Sequence, residues 1–187
     1  MTNTISIFND RADRFSGIVA GVGDRWDAAT PCTGWTTADV VRHVIDTERD
    51  FLARHGLIGT EPAADESPER AWRAHLEEVT RALSADGVAQ RDYDGYFGPT
   101  TIGDTMADFY GWDLAVHAWD LARATGQGNP IGDDEAVTLS SIADAWGAAL
   151  HSPGVCAGPL PVADDASASE RLLARLGRDP QWTAPRA

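Results

Sequence analysis

Residues 106–124, MADFYGWDLAVHAWDLARA, contain side chains whose types and spacing could do chemistry. Read as a helix stepping roughly 100° per residue from Met106, the apolar stripe centres close to zero, with Tyr110 at roughly 40° and Leu121 at roughly 60°. Asp113 falls at roughly −20° and His117 at roughly 20°, in the middle of the face that should be buried. Asp120 lies at its edge, at roughly −40°. Burying a carboxylate without a partner is costly, so the pair needs a reason. An i, i+4 pair projects two ligands from successive turns towards one point, which suits a metal ion. A buried Asp–His hydrogen bond that ties helices together fits the same spacing, as does an acid–base pair.

Two residues do not complete a metal site, and the chain offers four further histidines. His55 ends a helix and His151 precedes Ser152-Pro153, so both read as solvated. His75 flanks the stripe Trp72, Leu76, Val79, Leu83 and reads as a core histidine with a hydrogen-bond partner. His43 lies about 120° from the centre of the stripe Val40, Val41, Val44, Ile45, Phe51, Leu52, beside Asp39, Asp46 and Asp50. Periodicity alone makes it a solvated helix histidine. Cys32 has no flanking His or Arg to lower its pKa and reads as structural. Trp112 and Trp119 fall on a flank, where either an interface or a pocket suits them.

Apolar spacing of three and four predicts a mainly helical chain to position these residues. Helices are expected over residues 4–27, 36–55, 68–85, 101–124, 133–149 and 166–176. Thr36-x-x-Asp39 resembles a capping box, and Ser67-Pro68-Glu69 combines an N-cap, a first-turn proline and an acid. Residues 56–66 read as a linker and 86–100 as a loop with a short strand. Pro153, Pro159 and Pro161 make residues 151–165 irregular.

Length and charge narrow the function. At 187 residues the chain suits one domain, 1–187, able to bury a core without a disulfide or structural metal. Acidic residues outnumber basic ones 29 to 15, every basic residue is Arg, and the formal net charge is −14. Such a surface repels phosphate backbones and anionic lipid, so neither nucleic acid nor membrane is expected as a partner. No apolar run spans a bilayer, and Met1-Thr2-Asn3-Thr4-Ile5 has no basic region or apolar core of a signal peptide. Two cysteines, Cys32 and Cys156, fit a reducing cytoplasm.

Three segments carry a resemblance. Pro31-Cys32-Thr33-Gly34-Trp35-Thr36, followed by Val40-Val41-Arg42-His43-Val44, is similar to the opening motif of the DinB-like and mycothiol-dependent maleylpyruvate isomerase superfamily. The run from Asp113 through His117, Trp119 and Asp120 to Gly126 resembles its metal helix. Arg171 through Gly177-Arg178-Asp179-Pro180 resembles the ending of small actinobacterial members. The resemblance implies an all-α, up-down-down-up four-helix bundle (a core over about 4–126) with additional C-terminal helices over about 133–187. Its crossover would use residues 56–66, which reach roughly 35–40 Å when extended, enough for a helix about 30 Å long.

The resemblance also implies a divalent metal, usually zinc or nickel, held by His43, Asp113 and His117. Members more often have Glu or His at the position of Asp113, which is one methylene shorter than Glu. Two imidazoles and a carboxylate leave a coordination position open and also suit iron(II). Asp120 would accept from a ligand histidine's other nitrogen, or serve as a helix-face acid paired with Arg123 or Arg42. The implied function is a metal-dependent enzyme acting on a low-molecular-weight thiol, mycothiol-like, or its conjugate by transfer or isomerisation. Residues 86–100 would help form its pocket. The full-length isomerases carry a further C-terminal domain for which 187 residues leave no room, so maleylpyruvate itself is not assigned. A non-catalytic metal-binding or ligand-sensing bundle and a purely structural bundle are the alternatives. Substrate, general base and oligomeric state, a homodimer included, stay open.

Overall fold

The computed structural model describes residues 4–60, 67–152 and 154–184. Helix α1 (Thr4–Ala20) buries Phe8, Ala12, Phe15 and Val19, one helical stripe. It stops well short of residue 27. A Cβ on Gly21 would come within 2.3 Å of Gln127 Oε1, and Gly23 takes a left-handed φ of 65°. One glycine permits a close approach and the other an unusual backbone angle, and together they end the helix.

The capping signals set the next two starts as expected. Thr36 and Asp39 form a reciprocal box on α2 (Thr37–Arg54), and Ser67 accepts the Arg70 amide on α3 (Pro68–Leu83). Both satisfy amides that a first turn leaves without partners. Of the expected crossover over 56–66, residues 61–66 lie outside the described residues.

In place of a loop with one strand, residues 86–100 contain most of an antiparallel hairpin. Strands β1 (Asp92–Gly95) and β2 (Gly98–Thr101) pair Asp92 with Thr101 and Gly95 with Gly98, leaving Tyr96 and Phe97 at the turn. The hairpin leads directly into a rod of three joined pieces: α4 (Ile102–Thr105), a π-helical turn over Met106–Tyr110, and α5 (Gly111–Ala124). In the π turn the Gly111 amide reaches back to the Met106 carbonyl, a five-residue bond rather than the usual four. Tyr93 Oη lies 2.6 Å from Thr105 Oγ1 and pins the hairpin to the rod.

Helix α1 packs on α3 and α5, and α2 packs on the same two. These four helices share a core that includes Phe15, Val44, Leu52, Trp72, Val79 and Leu114. Each large apolar side chain buried there contributes about 1.5–3 kcal/mol. Trp72 sets its ring edge-on to Phe15 at 4.8 Å and donates its indole N–H to Ser16 Oγ.

A second core lies on the opposite side of α5. There α6 (Asp133–Trp146), a 3₁₀ turn (Gly147–His151) and α7 (Ala168–Arg175) cover Trp112, Ala115, Val116 and Trp119. The Trp112 indole donates to the Leu139 carbonyl at 3.0 Å. Trp112 and Trp119 therefore belong to a core under the C-terminal helices, although Trp112 also borders a cavity. Cores on two sides leave α5 almost wholly buried, so any polar group on it must find partners within the protein. Among the described residues no helix is long and apolar enough to cross a membrane.

Candidate metal centre

Packing of α2 on α5 brings the three expected donors together. His43 Nε2 lies 3.8 Å from Asp113 Oδ2, and His117 Nε2 lies 3.4 Å from Asp113 Oδ1. All three donor atoms fall within 4.8 Å of one another. Bonds of about 2.1 Å at a tetrahedral angle would set donors about 3.4 Å apart, so the residues fit a small divalent ion. His43 and Asp113 are partly exposed and His117 is buried, so one side of the group faces a cavity. Trp35 stands over both rings, 4.8 Å from His43 and stacked on His117 at 6.1 Å. The turn before α2 places it there, through the Trp35 amide bonded to Cys32 and Gly34 in the left-handed region.

The second nitrogen of His117 is held from behind. His117 Nδ1–H donates to Asp120 Oδ2 at 2.9 Å, which aims Nε2 towards Asp113. This is the acceptor arrangement common behind metal-ligating histidines. Asp120 is fully buried, and Arg178 donates to both of its oxygens through Nε and Nη2 at 2.8–3.2 Å. Neither alternative partner is used. Arg42 pairs with Asp39, and Arg123 donates to the Pro180 and Trp182 carbonyls.

These contacts separate the pKa values. Burial alone would raise that of Asp120, but the Arg178 charge and then hydrogen bonds from His117 and Arg178 hold it well below the usual carboxylate range. Burial alone would lower that of His117. The Asp113 charge, then hydrogen bonds to Asp120 and Cys32, overcome it and push the value up to about 10. His43 goes the other way, lowered chiefly by burial against a smaller opposing pull from Asp113.

Arg178 was not legible as a functional residue, and it changes the surroundings of Cys32. Cys32 Sγ donates to Asp120 Oδ2 at 3.2 Å and accepts from Arg178 Nη2 at 3.6 Å. The basic neighbour missing from the local sequence thus arrives from the segment after α7. A Cβ on Gly177 would meet that of Ala157 at 2.5 Å, and its φ is 74°, so a glycine lets the chain turn and point Arg178 inward. Cys32, His117 and Asp120 form a second trio with metal-ligand donors, but Arg178 already supplies the positive charge there.

The other histidines sort themselves. His75 Nε2 lies 2.9 Å from Glu48 Oε2, both fully buried, as a core histidine should. His151 is exposed and bonded to the Ala157 carbonyl. His55 is not freely solvated: it meets Phe51 and Tyr93 edge-on at 4.7 and 4.6 Å.

A cavity of about 610 Å³ borders the three donors, walled by Trp35, Phe109, Trp112, Trp146, Cys156 and Arg178 among others. Residues 86–100 do not line it. The hairpin faces an adjoining cavity of about 970 Å³, because Tyr93 anchors it at the far end of the rod. The segments around Cys156 and Arg178 take its place.

A helical protein with histidine and carboxylate donors converging between two helices is thereby defined. The chain belongs to the mycothiol maleylpyruvate isomerase N-terminal domain family, whose model matches residues 8–122. That match takes in all three donors and Asp120 but ends before Arg178. Two relatives cover nearly the whole chain: uncharacterized protein MT0763 of Mycobacterium tuberculosis strain CDC 1551 / Oshkosh and uncharacterized protein Rv0738 of strain H37Rv. Each is 29% identical over 172 residues, covering 89% of this chain and 92% of the relative. No solved structure matches significantly.

Proposed function

We propose that the protein holds one divalent metal ion, zinc in the first instance, through His43, Asp113 and His117, and acts on a low-molecular-weight thiol or its conjugate by transfer or isomerisation. The single observation that carries this reading is the donor geometry: separations of 3.4 and 3.8 Å to Asp113 beside a cavity large enough for a small molecule. Membership of a mycothiol-linked family supports a mycothiol-like thiol. Nickel(II) and iron(II) suit the same donors. A bound divalent ion supplies Lewis acidity and lowers the pKa of a thiol or water.

The chain's own groups do the rest. Asp120 fixes the His117 tautomer and ring angle. Arg178 neutralises Asp120, so that its charge stabilises His117 without attracting a second cation. Trp35 and Trp112 exclude water from two sides, while Phe109 and Trp146 offer apolar surface to a substrate's body. We read α1, α2, α3 and the α4–α5 rod as an up-down-down-up bundle, the C-terminal helices as an extension of the same domain, and the cytoplasm as its setting.

One rival reading has support. The His117–Asp113 contact at 3.4 Å and the raised His117 pKa also describe a metal-free ion pair. Elemental analysis of untagged protein separates the two: one equivalent of metal is expected, lost in His43→Ala, Asp113→Ala and His117→Ala. Metal-free wild-type protein that takes up none on dialysis against zinc would leave the structural reading. Thiol-dependent turnover of an electrophile, abolished in the same variants, is the result expected of an enzyme. Metal bound without such turnover would leave a binding role.

A further inference from the structure

The cavity beside the hairpin has a chemistry of its own. Its walls bring together Phe51, Tyr93, Tyr96, Phe97, Phe109 and Tyr110. The rings touch in a chain, tilted or edge-on: Phe51 lies 5.1 Å from Tyr110 and 5.8 Å from Tyr93, and Phe109 lies 5.0 Å from Tyr110. At the rim the rings face water. Tyr96 is 86% exposed and Phe97 59% exposed, and they touch each other edge-to-face. Large aromatic surface is costly to leave in water, and a ligand seated here would cover it.

The charges on the same walls are mostly negative. Asp94, Asp104 and Asp108 line the cavity, and Arg54 is the guanidinium among its lining residues. Arg54 is already paired with Asp50 at 3.2 Å. Arg11, whose charge reaches Asp108, is buried, donates to the Ala107 carbonyl and pairs with Glu135. His55 is pushed below its ordinary pKa by burial and by Arg54 and Arg91, so it is neutral at pH 7. Asp108 is pushed up, by burial and then by Asp104, so these two carboxylates repel one another. A cation between them would relieve that repulsion, while a carboxylate or phosphate would find, among the described lining residues, only the already paired Arg54.

We propose that this cavity is a binding site for a small organic cation, a quaternary or protonated amine held over the tyrosine and phenylalanine faces and balanced by Asp104 and Asp108. Aromatic faces attract cations through their quadrupoles, and recognition of quaternary ammonium groups uses this combination of rings. The wall of this cavity is continuous with that of the metal centre, since Phe109, Trp146, Ser152 and Val155 border both. The ligand would therefore lie beside the metal. That adjacency gains a catalytic meaning only on the preceding section's reading, whereas the cation site stands without it.

Three probes of nearly the same shape test the charge: choline, uncharged 3,3-dimethylbutan-1-ol and anionic 3,3-dimethylbutanoate, each titrated into the full chain by NMR. Choline is expected to shift resonances of the hairpin and π turn and to bind at least about tenfold more tightly than the alcohol. The butanoate should leave the hairpin unmoved. Asp108→Asn and Tyr96→Ala, both exposed positions that leave the core intact, should each weaken choline severalfold. His43→Ala should not, which separates failure of this site from failure of the metal reading. Equal binding of alcohol and choline, preference for the butanoate, or no response to choline at millimolar concentration would each overturn the proposal. So would choline binding indifferent to both Asp108→Asn and Tyr96→Ala. A dimer lost on Tyr96→Ala, with no cation bound, would also overturn it and make this rim a contact between copies.

Discussion

Metal binding at the proposed centre should displace one proton near neutral pH, and the structure says from where. In the metal-free protein Nε2 of His117 faces the Asp113 carboxylate while Nδ1 is held by Asp120. Despite the opposing effect of burial, these partners push the His117 pKa up to about 10. His43 is held below its ordinary value and is already neutral at pH 7. A metal ion must therefore expel the His117 proton and no other. Each pH unit below about 10 lowers apparent affinity about tenfold, about 1.4 kcal/mol. At pH 7 that amounts to about a thousandfold, or about 4 kcal/mol, relative to the high-pH limit. The sign is fixed: affinity rises with pH across this window, because protonated His117 binds no metal. Calorimetry in two buffers of different ionisation enthalpy counts the protons, and competition with a chromophoric chelator from pH 7 to 9 gives the slope. One proton and a slope near one are expected. Affinity that stays flat across pH 7 to 9, with no proton released at pH 7, would refute the argument. A slope of two would mean that His43 is also protonated. Asp120→Asn keeps an acceptor for Nδ1–H but removes a charge that stabilises protonated His117, so its affinity should level off from a lower pH upwards.

The neighbouring residues give further tests. Arg178→Ala should destabilise the protein by about 3–5 kcal/mol in urea unfolding, since it strips the cation from a buried carboxylate. It should also weaken metal binding about 10–100-fold through the loosened His117. Cys32→Ala and His75→Ala should leave metal content unchanged by elemental analysis, although His75→Ala should unfold more easily because Glu48 loses its buried partner. Metal bound by wild type but lost in either variant would mean that the ligand set is wrong. Chelation should keep the helical circular dichroism and lower the melting temperature, because the two apolar cores do not depend on an ion. In the chelated protein, His117 has a raised pKa, so the stability it contributes is full below about 6.5. That contribution fades as pH rises through about 10, which a pH series of urea midpoints would detect.

Local signals were legible wherever local chemistry decides the structure. Thr36, Asp39, Ser67 and Pro68 announce α2 and α3, because a cap satisfies its own first turn. The His117–Asp120 bond follows from three-residue spacing on a single helix. Residues 21–23 were misread because apolar spacing continues through Val22, while the backbone demands of Gly21 and Gly23 arise from Gln127 and the turn beyond. His43 could not be raised from a flank position by periodicity, because its inward aim depends on how α2 meets α5; only the resemblance singled it out. Arg178 lies 58 positions from Asp120, and no spacing rule connects two such residues. Cys32 gained its basic neighbour by the same tertiary contact. Trp112 and Trp119 were left between interface and pocket because the second core that covers them is built from helices further along the chain.

The π-helical turn at Met106–Tyr110 sets a rotational phase between the two ends of the rod. Upstream, Thr105 is fixed to the hairpin through Tyr93; downstream, Asp113 and His117 must face α2. The turn places five residues between the Met106 carbonyl and the Gly111 amide that bonds to it, where a regular α-helix has four, so loss of one residue here would close the same hydrogen bond as an ordinary α turn. The two ends would keep nearly the same phase, whereas deleting Trp112 from the regular helix α5 would rotate Asp113 and His117 against the hairpin by about 100° and shorten the rod by about 1.5 Å. A single-residue length change is therefore absorbed in the turn and disruptive just beyond it, and the relative aim of the two cavities is encoded in a residue count rather than in any one side chain.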